Sequence, residues 1–164
     1  MIGAKQAKVA VNNVSREETM AQDTGMPFAN LMGVEITDPS KDKVIGRLTV
    51  RPDLCTSGHI LHGGAIMAFA DALGAVGGFL NLPAGSRTTT IESKTNFVGS
   101  AREGTRVTGE ATALHVGRSS SVWQTRITGE DGRLVAIVIQ TQMTVPLSGE
   151  ASPAPASEAG ERRP

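Results

Sequence analysis

LHGGAIMAFADALGAVGGFLNL, residues 61–82, is the stretch that decides the fold of this chain. Small and apolar residues fill it, and Asp71 is the only Asp, Glu, Lys or Arg in it. Such a run predicts a helix that is apolar on nearly every side and is therefore buried. Because an ionised carboxylate is costly to bury without a partner, Asp71 needs a specific structural or chemical role.

The pair Gly63-Gly64 stands where this helix is expected to begin. The first amides of a helix have no intrahelical acceptors and carry the positive end of the helix dipole. Because glycine lets a substrate come close to those amides, this helix start can stabilise an oxyanion. The alternative is that the two glycines only make a tight entry turn.

Asp71 lies about 10–12 Å from the helix start, since each helical residue rises about 1.5 Å. It is therefore too far away to cap its own helix. If it acts together with a helix-start amide, either that amide comes from another chain or the substrate spans the gap. A carboxylate in this position suits a general base. The alternative is that Asp71 pairs with a hydroxyl or an arginine in the core.

Three other residues near the helix start have side chains of interest. His62 either donates a hydrogen bond at the mouth of a site or fixes the loop through a backbone carbonyl. His59 and His62 form an H-x-x-H pair, but too few further ligands are present to predict a catalytic metal. Cys55 is not expected to be a nucleophile, because nothing in the sequence favours its thiolate.

Composition excludes several classes of protein. The 164 residues carry 16 basic and 16 acidic side chains, so no overall field attracts nucleic acid, and aromatic residues make up only 3%. A single cysteine permits no intrachain disulfide and favours a reducing, cytoplasmic location. Neither a signal peptide nor a membrane partner is expected, since Asp71 in the middle of the apolar run disfavours a membrane span.

The chain is expected to contain one domain, residues 26–147, between a mobile arm (1–25) and a disordered tail (148–164) rich in Pro, Ala, Ser and Glu. Hydrophobic alternation and turn residues predict a short helix closed by Gly33, the long helix, and strands at 34–37, 43–50, 88–97, 106–116, 119–128 and 134–145. This order is typical of an α+β fold in which an antiparallel sheet covers the long helix. Such a sheet leaves free edges, which pairing between copies would cover.

Two motifs together resemble a known family. The segment Leu61-His62-Gly63-Gly64 with Ala70-Asp71, and the strand TIESKTNF at 90–97, are similar to hotdog-fold acyl-CoA thioesterases of the phenylacetic-acid-degradation type, over about residues 26–146. The resemblance implies a long central helix wrapped by an antiparallel sheet of five to six strands, in a homodimer or a dimer of dimers (a homotetramer). It also implies hydrolysis of acyl-CoA without a metal or cofactor.

The resemblance assigns roles to particular residues. It implies that Asp71 is the nucleophile or general base and that Gly63 supplies the oxyanion amide from the partner subunit. Thr90 matches a hydroxyl that positions water, and Thr56 stands where the family often has Asn or Gln, so that hydrogen bond is a departure. The remaining candidates are His62 at the site and, for binding substrate, Gly64, Asn96 and Arg118, the last toward the CoA phosphates.

Two alternative functions stay open. A hydratase or dehydratase of acyl thioesters pairs a histidine with an acidic residue in the same fold, but the H-F-P-x-x-P signature of the carrier-protein dehydratases is absent. A non-catalytic acyl-CoA-binding module would carry a DNA-binding segment, and residues 1–25 show no helix-turn-helix pattern. The acyl group itself is not identified by the sequence.

Overall fold

The computed structural model describes residues 25–147. The predicted tail, and all but the last residue of the predicted arm, lie outside the described residues. The described chain forms two α-helices, a 3₁₀ turn (Pro52–Leu54) and six strands, in the order α1 (Pro27–Met32), β1 (Glu35–Pro39), β2 (Lys43–Thr49), α2 (Gly63–Leu80), β3 (Ser86–Phe97), β4 (Arg106–Val116), β5 (Ser120–Gly129) and β6 (Leu134–Pro146).

The six strands form one antiparallel sheet in the order β1-β2-β4-β5-β6-β3. The α+β architecture predicted from the sequence is confirmed, and the sheet has six strands, within the predicted five to six. Most predicted strand ends are within two residues of those observed, and β4 matches its predicted range. The short strand β1 and the long strand β3 are the two edges, and β3 follows α2 directly in the chain.

The short helix α1 is held by its own end and by one arginine. Gly33 ends the helix in a left-handed conformation, with φ of 78°, which glycine adopts without a steric penalty. The Arg51 guanidinium donates to the carbonyls of Leu31 and Met32 and forms an ion pair with Asp53. This hydrogen-bonded pair lowers the pKa of Asp53 below its ordinary value. Helix α1 is thereby tied to the loop that precedes α2.

Helix α2 begins at Gly63 because His62 caps it. The His62 Nδ1 accepts a hydrogen bond of 2.9 Å from the Gly64 amide, which has no acceptor inside the helix. The two predicted alternatives for His62 both made it a donor, and this contact is different, since the imidazole accepts from a backbone amide. At the other end, the Asn81 side chain donates to the carbonyl of Gly77.

Glycines bring α2 very close to the sheet. Gly46 and Gly109 are direct partners on β2 and β4, and the Leu73 side chain fills the space above both of them. On the helix itself, Gly77 lies against the fully buried ring of Trp123 on β5. A Cβ atom at position 77 would lie 2.6 Å from Trp123 Cη2, so a larger residue does not fit without movement.

By length and composition α2 could cross a membrane, but 61% of it is buried inside the domain. The sheet covers it, and large side chains such as Phe69 and Leu73 are completely buried there. We therefore interpret α2 as the core helix of the domain, as its sequence predicts.

The contact between Gly77 and Trp123 yields a stability prediction. Gly77→Ala should lower the free energy of unfolding by about 1–3 kcal/mol, because the added methyl group overpacks a filled core. Urea unfolding followed by circular dichroism measures this change. In the double variant with Trp123→Phe the smaller ring should relieve most of the clash, so the two substitutions should be strongly non-additive. Simple additivity, or a Gly77→Ala variant as stable as wild type, would show that the contact does not limit the packing.

Candidate active site

The Asp71 carboxylate is half-buried on α2 and faces the strands β3 and β6. Its Oδ1 accepts a hydrogen bond of 2.8 Å from the Thr90 hydroxyl and a second from Gln140 Nε2. No residue in the range 25–147 donates to Oδ2. One carboxylate oxygen is therefore held firmly, while the other stays available to a reactant.

A chain of hydrogen bonds orients the Thr90 hydroxyl. Gln142, which pairs with Thr90 across β3 and β6, donates from Nε2 to the Thr90 Oγ1 at 2.9 Å. Thr88 in turn donates to Gln142 Oε1 at 3.1 Å. Because a hydroxyl has one proton, this chain directs the proton of Thr90 toward Asp71. All donors point the same way, and the chain ends at an acceptor that suits an ionised carboxylate.

Gln140 is completely buried, and its amide nitrogen faces Asp71. Its Oε1 is buried without a hydrogen-bond partner among the residues that the structure describes. That oxygen lies against Gly74, where a Cβ atom would come within 2.9 Å of Gln140 Cδ. Gly74 therefore leaves the room in which the amide can turn its nitrogen to the carboxylate.

Gln140 and Gln142 were not predicted from the sequence as members of the site. The signal that could have found them is the period of two along β6, where Ala136, Val138, Gln140 and Gln142 are all buried on the helix-facing side. Polar side chains at such inward positions need polar partners, and Asp71 is the acidic residue of the helix beneath.

A β-bulge adjusts β3 next to this network. The register of β3 against β6 shifts between Thr90 and Glu92, so that Ile91 is the extra residue and its side chain is 56% exposed. Bulges reorient the side chains around them and are common beside functional sites.

The start of α2 is the second half of the candidate site. The Gly64 amide is occupied by His62, whereas the Gly63 amide has no acceptor in the described part of the chain. The Phe97 ring, at the end of β3, packs against Gly63, and a Cβ there would lie 3.1 Å from Phe97 Cζ. The Gly63 amide, which is the predicted oxyanion donor, is therefore free to bind a reactant. The Gly64 amide is not, so any contact of Gly64 with substrate would have to use its Cα atom rather than its N–H group.

Asp71 and Gly63 of one chain do not meet. Asp71 lies eight positions after Gly63 along the helix, which is about 12 Å at a rise of about 1.5 Å per residue. A single thioester carbonyl cannot contact both groups across that distance. The two groups therefore define two separate candidate half-sites, both beside β3, because Thr90 contacts the first and Phe97 the second.

Thr56 lies in the loop before α2, where it organises the backbone. Its hydroxyl accepts from the Gly58 amide at 3.2 Å, which leaves its proton available to another group. In the same loop, His59 adopts a positive φ of 54° and bonds to the Glu103 carboxylate at 2.8 Å. No group of three or more His, Cys, Asp or Glu side chains that could hold a metal occurs within the described range.

Asn96 and Arg118 are not brought to Asp71. Asn96 is exposed near the end of β3, next to Phe97. Arg118 is exposed in the hairpin between β4 and β5. The carbonyl of the neighbouring Ser119 accepts a hydrogen bond from the Thr144 amide, which places this hairpin at the end of the sheet opposite Phe97. Contact between either side chain and a substrate stays a prediction.

A cleft of about 450 Å³ opens beside the helix start. His62, Gly64 and Ala65 form one of its walls, and the remaining lining residues are Phe28, Leu31, Met32, Arg51, Asp53, Leu54 and Cys55. The Cys55 pKa is raised above its ordinary value, chiefly by burial and also by the nearby negative charges of Glu103 and Asp53. A raised pKa disfavours the thiolate form of Cys55.

Comparisons with known proteins agree with this architecture. A family model described as the thioesterase superfamily matches residues 58–136. The chain is 43% identical over 75 residues to a 1,4-dihydroxy-2-naphthoyl-CoA hydrolase of Escherichia coli K12, covering 46% of this chain and 54% of the relative. A Vibrio cholerae protein with the provisional name of esterase is 32% identical over 121 residues, covering 71% of this chain and 75% of the relative. The chain thus spans only about half the length of the first of these relatives.

Solved structures share the whole described fold. A thioesterase from Haemophilus influenzae superposes with a TM-score of 0.76 at 25% identity, over 85% of this chain and 96% of the other. A protein of the phenylacetic acid degradation operon of Escherichia coli superposes with a TM-score of 0.70 at 18% identity, over 77% and 90%, and supports the fold alone. The long helix under a six-stranded antiparallel sheet and these matches lead to one conclusion: the chain belongs to the thioesterase superfamily and has the hotdog fold.

Proposed function

We propose that this protein hydrolyses acyl-CoA thioesters to a free acid and CoA, with Asp71 as general base or nucleophile. The observation that carries the proposal is the state of the Asp71 carboxylate: Oδ1 is held by Thr90 and Gln140, and Oδ2 has no donor within residues 25–147. A carboxylate with a purely structural role would be expected to use both oxygens. The name of the Escherichia coli relative supports a CoA thioester as substrate.

The Gly63 amide is proposed to bind the thioester oxygen. It stands at the positive end of α2 and has no acceptor within the described chain, so it can stabilise negative charge that develops on that oxygen. In hydrolysis the oxygen of water forms a bond to the carbonyl carbon, directly or after a step in which Asp71 Oδ2 attacks first. The C–S bond breaks, and a proton passes to the CoA thiolate. This scheme uses protein groups alone.

Two copies are proposed to complete each other's sites. Within one chain the half-sites are about 12 Å apart. Both adjoin β3, whose outer edge has no strand partner among residues 25–147. Two copies that pair along this edge, as a homodimer or within a dimer of dimers, would bring Gly63 of one chain toward Asp71 of the other.

Two details refine the expected roles. The proton of Thr90 is directed to Asp71, so we assign Thr90 to positioning the carboxylate rather than the water. Since His62 Nδ1 accepts from Gly64, a neutral His62 carries its proton on Nε2 and can donate but not act as a base there. This favours hydrolysis over the hydratase alternative, which pairs a basic histidine with the acid. The single cysteine is consistent with a cytoplasmic location.

Removing the charge of Asp71 tests the proposal directly. Asp71→Asn should lower kcat by about 10²–10⁴ while acyl-CoA still binds, because the amide cannot act as base or nucleophile. Release of free thiol from a panel of acyl-CoAs measures turnover. Glu110→Gln, which removes an exposed carboxylate on β4, is the matched control and should behave as wild type. An Asp71→Asn variant with undiminished turnover would remove Asp71 from the mechanism.

The shared site predicts complementation between two inactive variants. Gly63→Pro deletes the amide proton at a helix position that tolerates proline, so turnover should fall by about 10²–10³. Gly63→Ala retains the amide but adds a methyl group against Phe97, and it controls for packing. Subunits carrying Asp71→Asn and Gly63→Pro, mixed in equal amounts, should recover roughly a quarter of wild-type activity, because half the dimers then hold one intact site. No recovery after confirmed subunit exchange would place the whole site within one chain.

The role of Thr90 predicts a separation of kcat from KM. Thr90→Val keeps the shape of the side chain but removes the donor to Asp71, and it should lower kcat about tenfold with little change in KM. Thr90→Ser restores the hydroxyl and should recover most of kcat. Steady-state kinetics of the two variants decides the matter. Equal loss in both variants would indicate a packing role for Thr90 instead.

A further inference from the structure

The cleft beside the start of α2 has an apolar interior that residues 25–147 leave open. Phe28 and Leu31 on α1 are 63% and 72% exposed, although both are large apolar side chains. With Met32, Leu54 and Cys55 they surround a volume of about 450 Å³. Concave sites of this size and lining are typical of small-molecule pockets.

The charged residues of the cleft are already paired with each other. The Arg51 guanidinium donates to both carboxylate oxygens of Asp53 and to the carbonyls of Leu31 and Met32, so it has little capacity left for a phosphate. Asp53 and Glu103 both act electrostatically on the Cys55 thiol at the base of the cleft. Arg51, the one Lys or Arg side chain that lines the cleft within residues 25–147, is thus already engaged, so the cleft offers a phosphate no strong partner, whereas an uncharged apolar group needs none.

The position of the cleft relates it to the thioester. One of its walls is formed by His62, Gly64 and Ala65, the neighbours of Gly63 in the chain. A carbonyl oxygen bound at the Gly63 amide has two arms, the acyl group and the sulfur with its long phosphate-bearing coenzyme. The apolar cleft without a free cation suits the first arm, and the second must leave toward solvent.

We propose that this cleft is the acyl pocket and that Phe28 and Leu31 make the enzyme selective for large apolar acyl groups, medium-chain or aryl, over acetyl. The inference rests on the proposed thioester hydrolysis and adds its substrate class. It assigns a function to helix α1, whose exposed apolar side chains the acyl group would cover. Each CH₂ group buried there should raise kcat/KM about fourfold.

Substitutions on α1 test the pocket by kinetics. Phe28→Ala and Leu31→Ala should lower kcat/KM for octanoyl-CoA and benzoyl-CoA about tenfold, mainly through KM, and leave acetyl-CoA hydrolysis unchanged. Leu114→Ala removes an equally apolar side chain, 56% exposed on β4 away from the cleft, and should change nothing. An equal loss for all three thioesters, or no loss for any, would overturn the proposal.

Cys55 provides a second, binding-based readout, because it is the single cysteine of the chain and lines the cleft. Alkylation of native wild-type protein by iodoacetamide at mildly alkaline pH is compared with and without a non-hydrolysable thioether, S-octyl-CoA. The thioether should slow alkylation severalfold, whereas CoA alone, at a concentration at which calorimetry shows it bound, should not.

The outcomes separate the pocket from the reaction. If CoA alone protects Cys55 from alkylation as well as the thioether does, the coenzyme arm lies in the cleft. If the thioether is bound, as calorimetry shows, but does not protect Cys55, the acyl group lies elsewhere. A thiol that reacts only after denaturation would mean that protein, from a second copy or from another segment of this chain, fills the cleft. Each of these results overturns the inference. Selective protection by the thioether in a protein that hydrolyses no thioester would instead uphold the pocket and refute the proposed hydrolysis.

Discussion

The hydrogen bonds to the Asp71 carboxylate are the constraint on which the rest of the structure depends. A charge in the middle of an apolar helix is tolerated only where donors reach it, and Thr90 and Gln140 come from the two strands that lie beside it. These strands, β3 and β6, are neighbours at one side of the sheet. The placement of the helix over that side therefore satisfies the carboxylate and the buried glutamine amide together.

Such contacts require an unusually short distance between helix and sheet, which explains the glycines of α2. Each glycine inside a helix costs about 1 kcal/mol relative to alanine. At Gly74 and Gly77, however, a Cβ would collide with Gln140 and with Trp123. The loss in helix propensity is offset by burial of a large aromatic ring and by access of an amide to the carboxylate. Tertiary packing, not local preference, stabilises this helix.

Features of the fold and the candidate site that depend on local sequence patterns could be predicted, whereas those that depend on contacts between residues far apart in the chain could not. The alternation along β4 and the apolar run of α2 are local patterns, and they predicted both elements closely. The inward direction of Gln140 and Gln142 depends on which face of β6 meets the helix, and that is set by strand order and by the bulge at Ile91. Similarly, the capping contact of His62 depends on a side-chain conformation. Asp71 and Gly63 could be predicted as candidate site residues because their surroundings are unusual in the sequence itself.

The edge strand β3 connects the carboxylate to the question of assembly. This strand of twelve residues pairs with β6 on one side only, and its outer side, which has no strand partner within residues 25–147, exposes a row of backbone donors and acceptors that is a liability in an isolated chain. The same strand carries Thr90 against one half-site and Phe97 against the other. Pairing of two copies along it would remove the liability. It would also bring Asp71 of one copy closer to the helix-start amide of the other copy than it is to the amide of its own helix. In the proposed enzyme, Asp71 and Gly63 of one helix therefore belong to two different active sites and act on two separate substrate molecules. The exposed edge of β3 and the division of the site between two copies both follow from this arrangement.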